Sequence, residues 1–76
     1  MEELISNSEF FKEISDGRLD VEIWDDEYIE DGWAYWNVVS RDSGVVKKLA
    51  YLRIKGSTIQ RRSYDEQGDD LWLVVQ

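Results

Sequence analysis

From residue 18 onward the chain is a succession of alternating segments, separated by turns too short for anything but a reversal. "RLDVEIW" (18–24) sets Leu19, Val21 and Ile23 on one side and Asp20, Glu22 and Trp24 on the other, the period-two pattern of a half-buried strand. "GWAYWNVVS" (32–40) separates Ala34, Trp36 and Val38 from Trp33, Tyr35, Asn37 and Val39. After the turn signal "RDSG" (41–44), "VVKKLAYLRIK" (45–55) places Val46, Ala50, Leu52 and Ile54 opposite Lys47, Leu49, Tyr51, Arg53 and Lys55. "KGST" reads as a tight hairpin leading into "TIQRRSY" (58–64), and "DEQGDD" turns the chain into "LWLVV" (71–75). Strands joined this closely pair antiparallel, because a parallel pair needs a crossover of a dozen or more residues. The pattern therefore predicts a five-stranded antiparallel meander.

The first seventeen residues read as a helix. "SNSE", Ser6 to Glu9, fits a capping box with Ser6 as N-cap, and Ile5 and Phe10 stand where a hydrophobic staple belongs. Gly17 follows Asp16 as a left-handed stop. Phe10, Phe11 and Ile14 fall on one helical face, with Glu9, Glu13 and Asp16 opposite and Ile5 beside those acids. The expected class is α+β: one N-terminal helix packed on a five-stranded antiparallel, strongly bent sheet, either a meander or a partly open small barrel. With 76 residues and no proline or repeat to cut at, residues 1–76 are read as one small domain.

Absences remove most chemistry. The chain has no His and no Cys, which excludes a Ser-His-Asp triad, a Cys-His pair, a His- or Cys-liganded zinc site and a disulfide framework. A carboxylate pair of the glycosidase type needs a cleft that one helix on one small sheet rarely supplies. The acidic segments do not fit a calcium loop: counted from Asp25, position 5 is Ile29 and position 6 is Glu30, and "DEQGDD" has its Gly at position 4. No enzyme, no cofactor and no metal are expected. No stretch approaches the length of a membrane span, and "MEELISNSEFF" lacks the basic start and apolar run of a signal peptide, so the expected location is the cytoplasm.

Charge is the positive signal. Seventeen Asp and Glu against nine Lys and Arg give a net charge of −8. Residues 1–40 hold twelve acids and two bases, whereas residues 41–62 hold one acid and seven bases. Such acidity argues against general nucleic-acid binding, although Trp24, Trp33, Tyr35, Tyr51 and Arg53 share the expected outer face with Lys47 and Lys55 nearby. Asp20 and Glu22 are expected to pair with Arg53 and Lys55 across neighbouring strands.

The stretch "WDDEYIEDGWAYW" (24–36) sets five carboxylates among half of the ten aromatics. It reads as a strand, an exposed acidic loop and a second strand. Glu9, Glu13 and Asp16 repeat along the helix at roughly 5–6 Å, and a loop of Asp25, Asp26, Glu27, Glu30 and Asp31 would extend that stripe. Trp24, Tyr28 and Trp33 flank the loop as interface anchors.

In overall character, a short, acidic, cysteine-free α+β chain ending in "LWLVVQ" resembles the small inhibitors that phages use against host enzymes: uracil-DNA glycosylase inhibitors of the DNA-mimic type and some anti-CRISPR proteins. The likeness is one of composition and architecture and carries over no binding residue. The expected function is a non-enzymatic inhibitory protein whose acidic face docks on a basic, nucleic-acid-binding surface of a partner protein, without contacting nucleic acid or membrane itself. The alternative is a structural or accessory domain whose acids serve solubility and which forms a homodimer. Its contact would be the outer aromatics Trp33 and Tyr35, or an edge strand such as "TIQRRSY" or "LWLVV".

Overall fold

A computed structural model of the protein describes residues 2–76. The alternating segments become β1 (Val21–Glu30), β2 (Trp33–Asp42), β3 (Val45–Lys55), β4 (Thr58–Tyr64) and β5 (Asp70–Val74). They form one sheet in the order β1-β2-β3-β4-β5, every neighbouring pair antiparallel. β1 and β5 are its two edges, so the sheet is an open meander and not a barrel. "TIQRRSY" is an interior strand between β3 and β5, not an edge.

The first two reversals are two-residue turns with both central residues at positive φ: Asp31 and Gly32 at 53° and 82°, Ser43 and Gly44 at 52° and 81°. That is the φ pattern of a type I′ turn, whose twist matches the flanking strands and which glycine enters without steric cost.

Two irregularities decide which side chains share a face. In β1, Asp25 pairs with Trp36 and Ile29 with Ala34, so residues 26–28 oppose Tyr35 alone. Glu27 takes φ 54°, and its N–H donates to Asp25 Oδ1 at 2.8 Å. Two extra residues leave the alternation unchanged on either side. The acidic stretch is thus a bulged edge strand, not a loop; only Asp31 lies in the turn. In β3, Val38 pairs with Ala50 but Val39 with Lys48, so Leu49 is a single extra residue. One extra residue inverts the alternation. Leu49 therefore packs towards the core, Lys47 pairs with Ser40 on that same side, and Val46 pairs with Arg41 on the other, each opposite to its expected face.

The N-terminus forms two short helices, α1 (Glu2–Ser6) and α2 (Glu9–Ser15), rather than one. Ser8, not Ser6, is the N-cap of α2: its Oγ accepts from the Phe11 N–H at 3.1 Å and donates to the Ile5 carbonyl at 2.6 Å. Ile5, expected beside the acids, is fully buried with Val38, Leu52, Ile54 and Ile59. Burying an Ile side chain is worth about 1.5–3 kcal/mol, more than an exposed capping box returns, and the break at residues 7–8 lets α1 turn Ile5 onto the sheet. Leu4, Phe10, Phe11, Ile14, Val21 and Ile23 close around this cluster. α2 stops as expected at Gly17, with Asp16 already left-handed at φ 36° and its N–H bonded to the Lys12 carbonyl. Leu19 lies outside β1 and is fully exposed.

The two capping arrangements differ in a measurable way. Ser8→Ala is expected to cost about 1–2 kcal/mol in urea unfolding, whereas Ser6→Ala, whose hydroxyl bonds only the Glu3 carbonyl, stays within about 0.5 kcal/mol. Equal losses would restore the Ser6 cap.

Candidate binding faces

Both helices lie on one face of the sheet, and among the described residues no element of secondary structure covers the other. Strand register assigns seven of the ten aromatics to this open face: Trp24, Tyr28, Trp33, Tyr35, Tyr51, Tyr64 and Trp72. They cover one another. Tyr35 is buried at its centre, with ring centroids 5.0 Å from Tyr28, 5.6 Å from Tyr51 and 5.8 Å from Trp72.

Cations complete the layer. The Arg53 guanidinium stands 4.2 Å from the ring centroids of both Trp33 and Trp72, and its Nε donates to Gln60 Oε1 at 2.8 Å. Lys48 and Arg62 lie 4.9 and 4.8 Å from the Tyr51 ring centroid. Lys55 approaches Trp33 and donates to the Asp31 carbonyl. Arg53 and Lys55 are therefore not partners of Asp20 and Glu22, because β2 separates β1 from β3. Glu22 instead accepts both bonds of the Arg41 fork at 3.0 Å, and Asp20 pairs with Arg18 at 2.9 Å. A base that stacks on an aromatic platform needs a free ring face, and the cations already stand over Trp33, Tyr51 and Trp72.

The carboxylates divide between the two faces. Asp26 and Glu30 lie on the open face and are committed there. Tyr51 donates to Asp26 Oδ2 at 2.6 Å, across β2, while Asn37 donates to its Oδ1 at 3.2 Å. Tyr28 donates to Glu30 at 2.6 Å. Both tyrosines are held above the ordinary phenol range, Tyr51 first by burial and then by Asp26, Tyr28 first by its hydrogen bond to Glu30. Glu22 is held below the ordinary carboxylate range by the Trp24 indole N–H and then by Arg41.

Counted by register, the open face carries five bases (Arg41, Lys48, Arg53, Lys55 and Arg62) and four acids (Glu22, Asp26, Glu30 and Asp70), net +1. The remaining thirteen acids and four bases, net −9, sit on the helix side, in the turns and at the bulge. Glu9, Glu13 and Asp16 are exposed there, Asp16 just past the end of α2. Asp25 points to the helix side by register. The expected stripe is thus interrupted: Asp26 and Glu30 belong to the other face, and so do the expected anchors Trp24, Tyr28 and Trp33. Sequence reading missed Tyr28, Tyr64, Trp72, Lys48 and Arg62 as members of the aromatic layer. The alternation of Gln60, Arg62 and Tyr64 in β4 and of Trp72 and Val74 in β5 was the signal for three of them.

A cleft of about 490 Å³ between the α2–β1 connection and the β2–β3 hairpin is lined by Arg18, Asp20, Ser40, Asp42, Lys47 and Leu49. Its bases are matched by its acids, and Arg18 and Asp20 are committed to each other. Among the described residues no three His, Cys, Asp or Glu side chains gather as a metal-holding group, and no helix is long and apolar enough to cross a membrane. The arrangement defines a one-sided α+β protein with a charged helix layer and a self-covered sheet face. No protein-family model, curated protein or solved structure matches the chain.

The depressed Glu22 carboxyl fixes a pH dependence. A carboxylate whose folded pKa is lowered stabilises the fold above its ordinary value near pH 4.3, and that contribution is lost as pH falls through the lowered value. In urea unfolding Glu22→Gln is expected to be less stable than the parent at pH 7, with the difference shrinking below about pH 4. A difference independent of pH would remove the ionic account. Arg53→Met, which keeps the chain length but removes the cation between Trp33 and Trp72, is expected to cost about 1–2 kcal/mol in the same assay at pH 7.

Proposed function

We propose that this is a non-enzymatic, cytoplasmic binding protein whose acidic helix side docks on the basic, nucleic-acid-binding surface of a partner protein and occludes it, in the manner of the small phage inhibitors it resembles. One observation carries the reading: the charge is partitioned, about −9 on the helix side, turns and bulge against +1 on the open face. A charge that only kept the chain in solution would have no reason to avoid one face. The acids of the helix side then steer a basic partner to that side and set the approach rate.

The contact is centred on Glu9, Glu13 and Asp16, with Asp25 and the bulged Glu27 towards the β1 edge. Successive carboxylates of the α2 row stand roughly 5–6 Å apart, a spacing that basic side chains reading a phosphate backbone accommodate. Trp24, Tyr28 and Trp33 take no part, since they face away.

The test uses the protein as immobilised bait in a bacterial lysate, with elution by salt and by added duplex DNA. A nucleic-acid-binding protein displaced by the DNA is expected. The triple variant Glu9→Lys, Glu13→Lys, Asp16→Lys, which moves the net charge from −8 to −2, is expected to weaken that capture at least about tenfold while circular dichroism stays unchanged. Reversal of Asp65 and Glu66 in the β4–β5 turn serves as the control and leaves capture intact. Equal capture by the triple variant would overturn the reading.

A further inference from the structure

We propose that edge strand β5 pairs antiparallel with β5 of a second copy of this chain, joining two sheets into one across a two-fold axis normal to them. The inference does not rest on the heterologous contact, which uses side chains of α2 and β1 and none of β5.

The backbone sets the register. The Asp65 N–H donates to the Asp69 carbonyl and the Val75 N–H to the Ile59 carbonyl, each at 2.9 Å, so the bonded pairs of the β4–β5 ladder fall on residues 69, 71, 73 and 75. The N–H and C=O groups of Asp70, Trp72 and Val74 therefore point out of the sheet edge, three donors and three acceptors that no strand meets among the described residues. This set is its own complement in antiparallel pairing. With Trp72 opposite Trp72 of the second copy, Asp70 lies opposite Val74 and Val74 opposite Asp70, so all six groups of each edge are bonded. Sliding by two residues in either direction leaves two groups of each edge without a partner in the other β5.

Side chains answer one another in that same register. The exposed Leu71 comes opposite the half-buried Leu73 on the helix side, and Asp70 meets the exposed Val74 rather than another acid. The Trp72 ring leans inward over the sheet, its centroid 4.2 Å from the Arg53 guanidinium on β3 and 5.8 Å from the Tyr35 ring on β2, which keeps the backbone at the axis clear. Exposed edges are ordinarily guarded by charge, proline or a bulge. β1 has two of these guards, five carboxylates and the bulge at residues 26–28, whereas Leu71 to Val75 has none. Pairing at β5 thus uses the one unguarded edge of each copy, and assembly closes at two. A foreign extended segment supplies backbone bonds as well, but the placement of outward groups, leucines and acids about Trp72 is met by the strand itself.

Sedimentation of the 76-residue chain from about 10 µM to about 1 mM is expected to show the mass rising from 9.0 kDa to twice that value. The rise is expected at lower concentration in about 0.5 M salt, where repulsion between two chains of net charge −8 is screened. Over the same range the backbone N–H resonances of Asp70, Trp72 and Val74 are expected to shift, with those of the buried Leu52 and Ile54 on β3 as a fixed reference. Leu71→Lys with Val74→Lys is expected to weaken association at least about tenfold, although it lowers the net charge from −8 to −6. Val45→Lys with Val46→Lys, at 63% and 46% exposure against 65% for Val74 and 42% for Leu71, makes the same charge change at the start of β3 and leaves association at wild-type strength. A mass of 9.0 kDa at every concentration overturns the proposal. So does growth beyond twice that mass, wild-type association by the edge variant, or equal weakening of the β3 variant. Resonances of Asp70, Trp72 and Val74 that respond to a synthetic peptide of alternating Val and Thr but not to dilution assign the edge to a foreign strand and overturn it too. Should the edge variant fail to fold, the wild-type mass and N–H shifts decide alone.

Discussion

Everything in this molecule follows from a shortage of cover. A sheet has two faces to shield from water, and the chain supplies two helices, of five and seven residues, to shield them. One face receives the helices and the aliphatic side chains, with Ile5 wedged against Val38, Leu52, Ile54 and Ile59. The other has to cover itself, and small aliphatic side chains on an open sheet face cannot do that. Large rings can: packed in tilted, stacked and edge-on pairs they shield one another, and cations standing over them satisfy the ring quadrupoles while keeping polar heads in water. This is why seven of ten aromatics share one face and why most of the bases join them. Most of the acids are left to the helix side, the turns and the bulge.

The strand segments were legible because their alternation is regular over most of their length; "VVKKLAYLRIK" and "TIQRRSY" are β3 and β4 to the residue. What the alternation conceals is a bulge. Leu49 occupies a position that period two assigns outward, yet an apolar residue gains more by packing inward, so the strand takes up one extra residue there and Lys47 and Val46 exchange sides. The stretch from Asp25 to Glu30 misled in the opposite way. Its density of acids reads as a loop, but an edge strand has one face and one free side in water, and charges there cost little while discouraging edge pairing. The helix start was misplaced for a third reason. Ser6 and Ser8 are both acceptable caps, and the decision belongs to Ile5, whose burial no local pattern reports.

Of the candidate site, the acidic helix row was readable and the grouping of the other acids was not. Asp26 is the instructive case. In sequence it is one of five carboxylates in a row of neighbours; in the fold it reaches across β2 to the Tyr51 hydroxyl and ties the edge strand to the middle of the sheet. A residue counted as surface charge is a structural acceptor, because the β1 bulge sets it beside a face whose hydroxyls need one.

The net charge of −8 therefore describes neither surface of the protein. The open face is nearly neutral while the helix side, the turns and the bulge hold the surplus of acids, and the two have different physics. Attraction to the acidic side acts over roughly a Debye length and weakens with salt. Cohesion within the open face is short-ranged and depends on rings and paired charges in contact. Because the sheet stands between them, neither surface spends the residues of the other: none of Glu9, Glu13 or Asp16 reaches the aromatic layer, and none of its cations neutralises the helix row. A chain of this size keeps two surfaces of different character apart by setting one on each side of a single sheet.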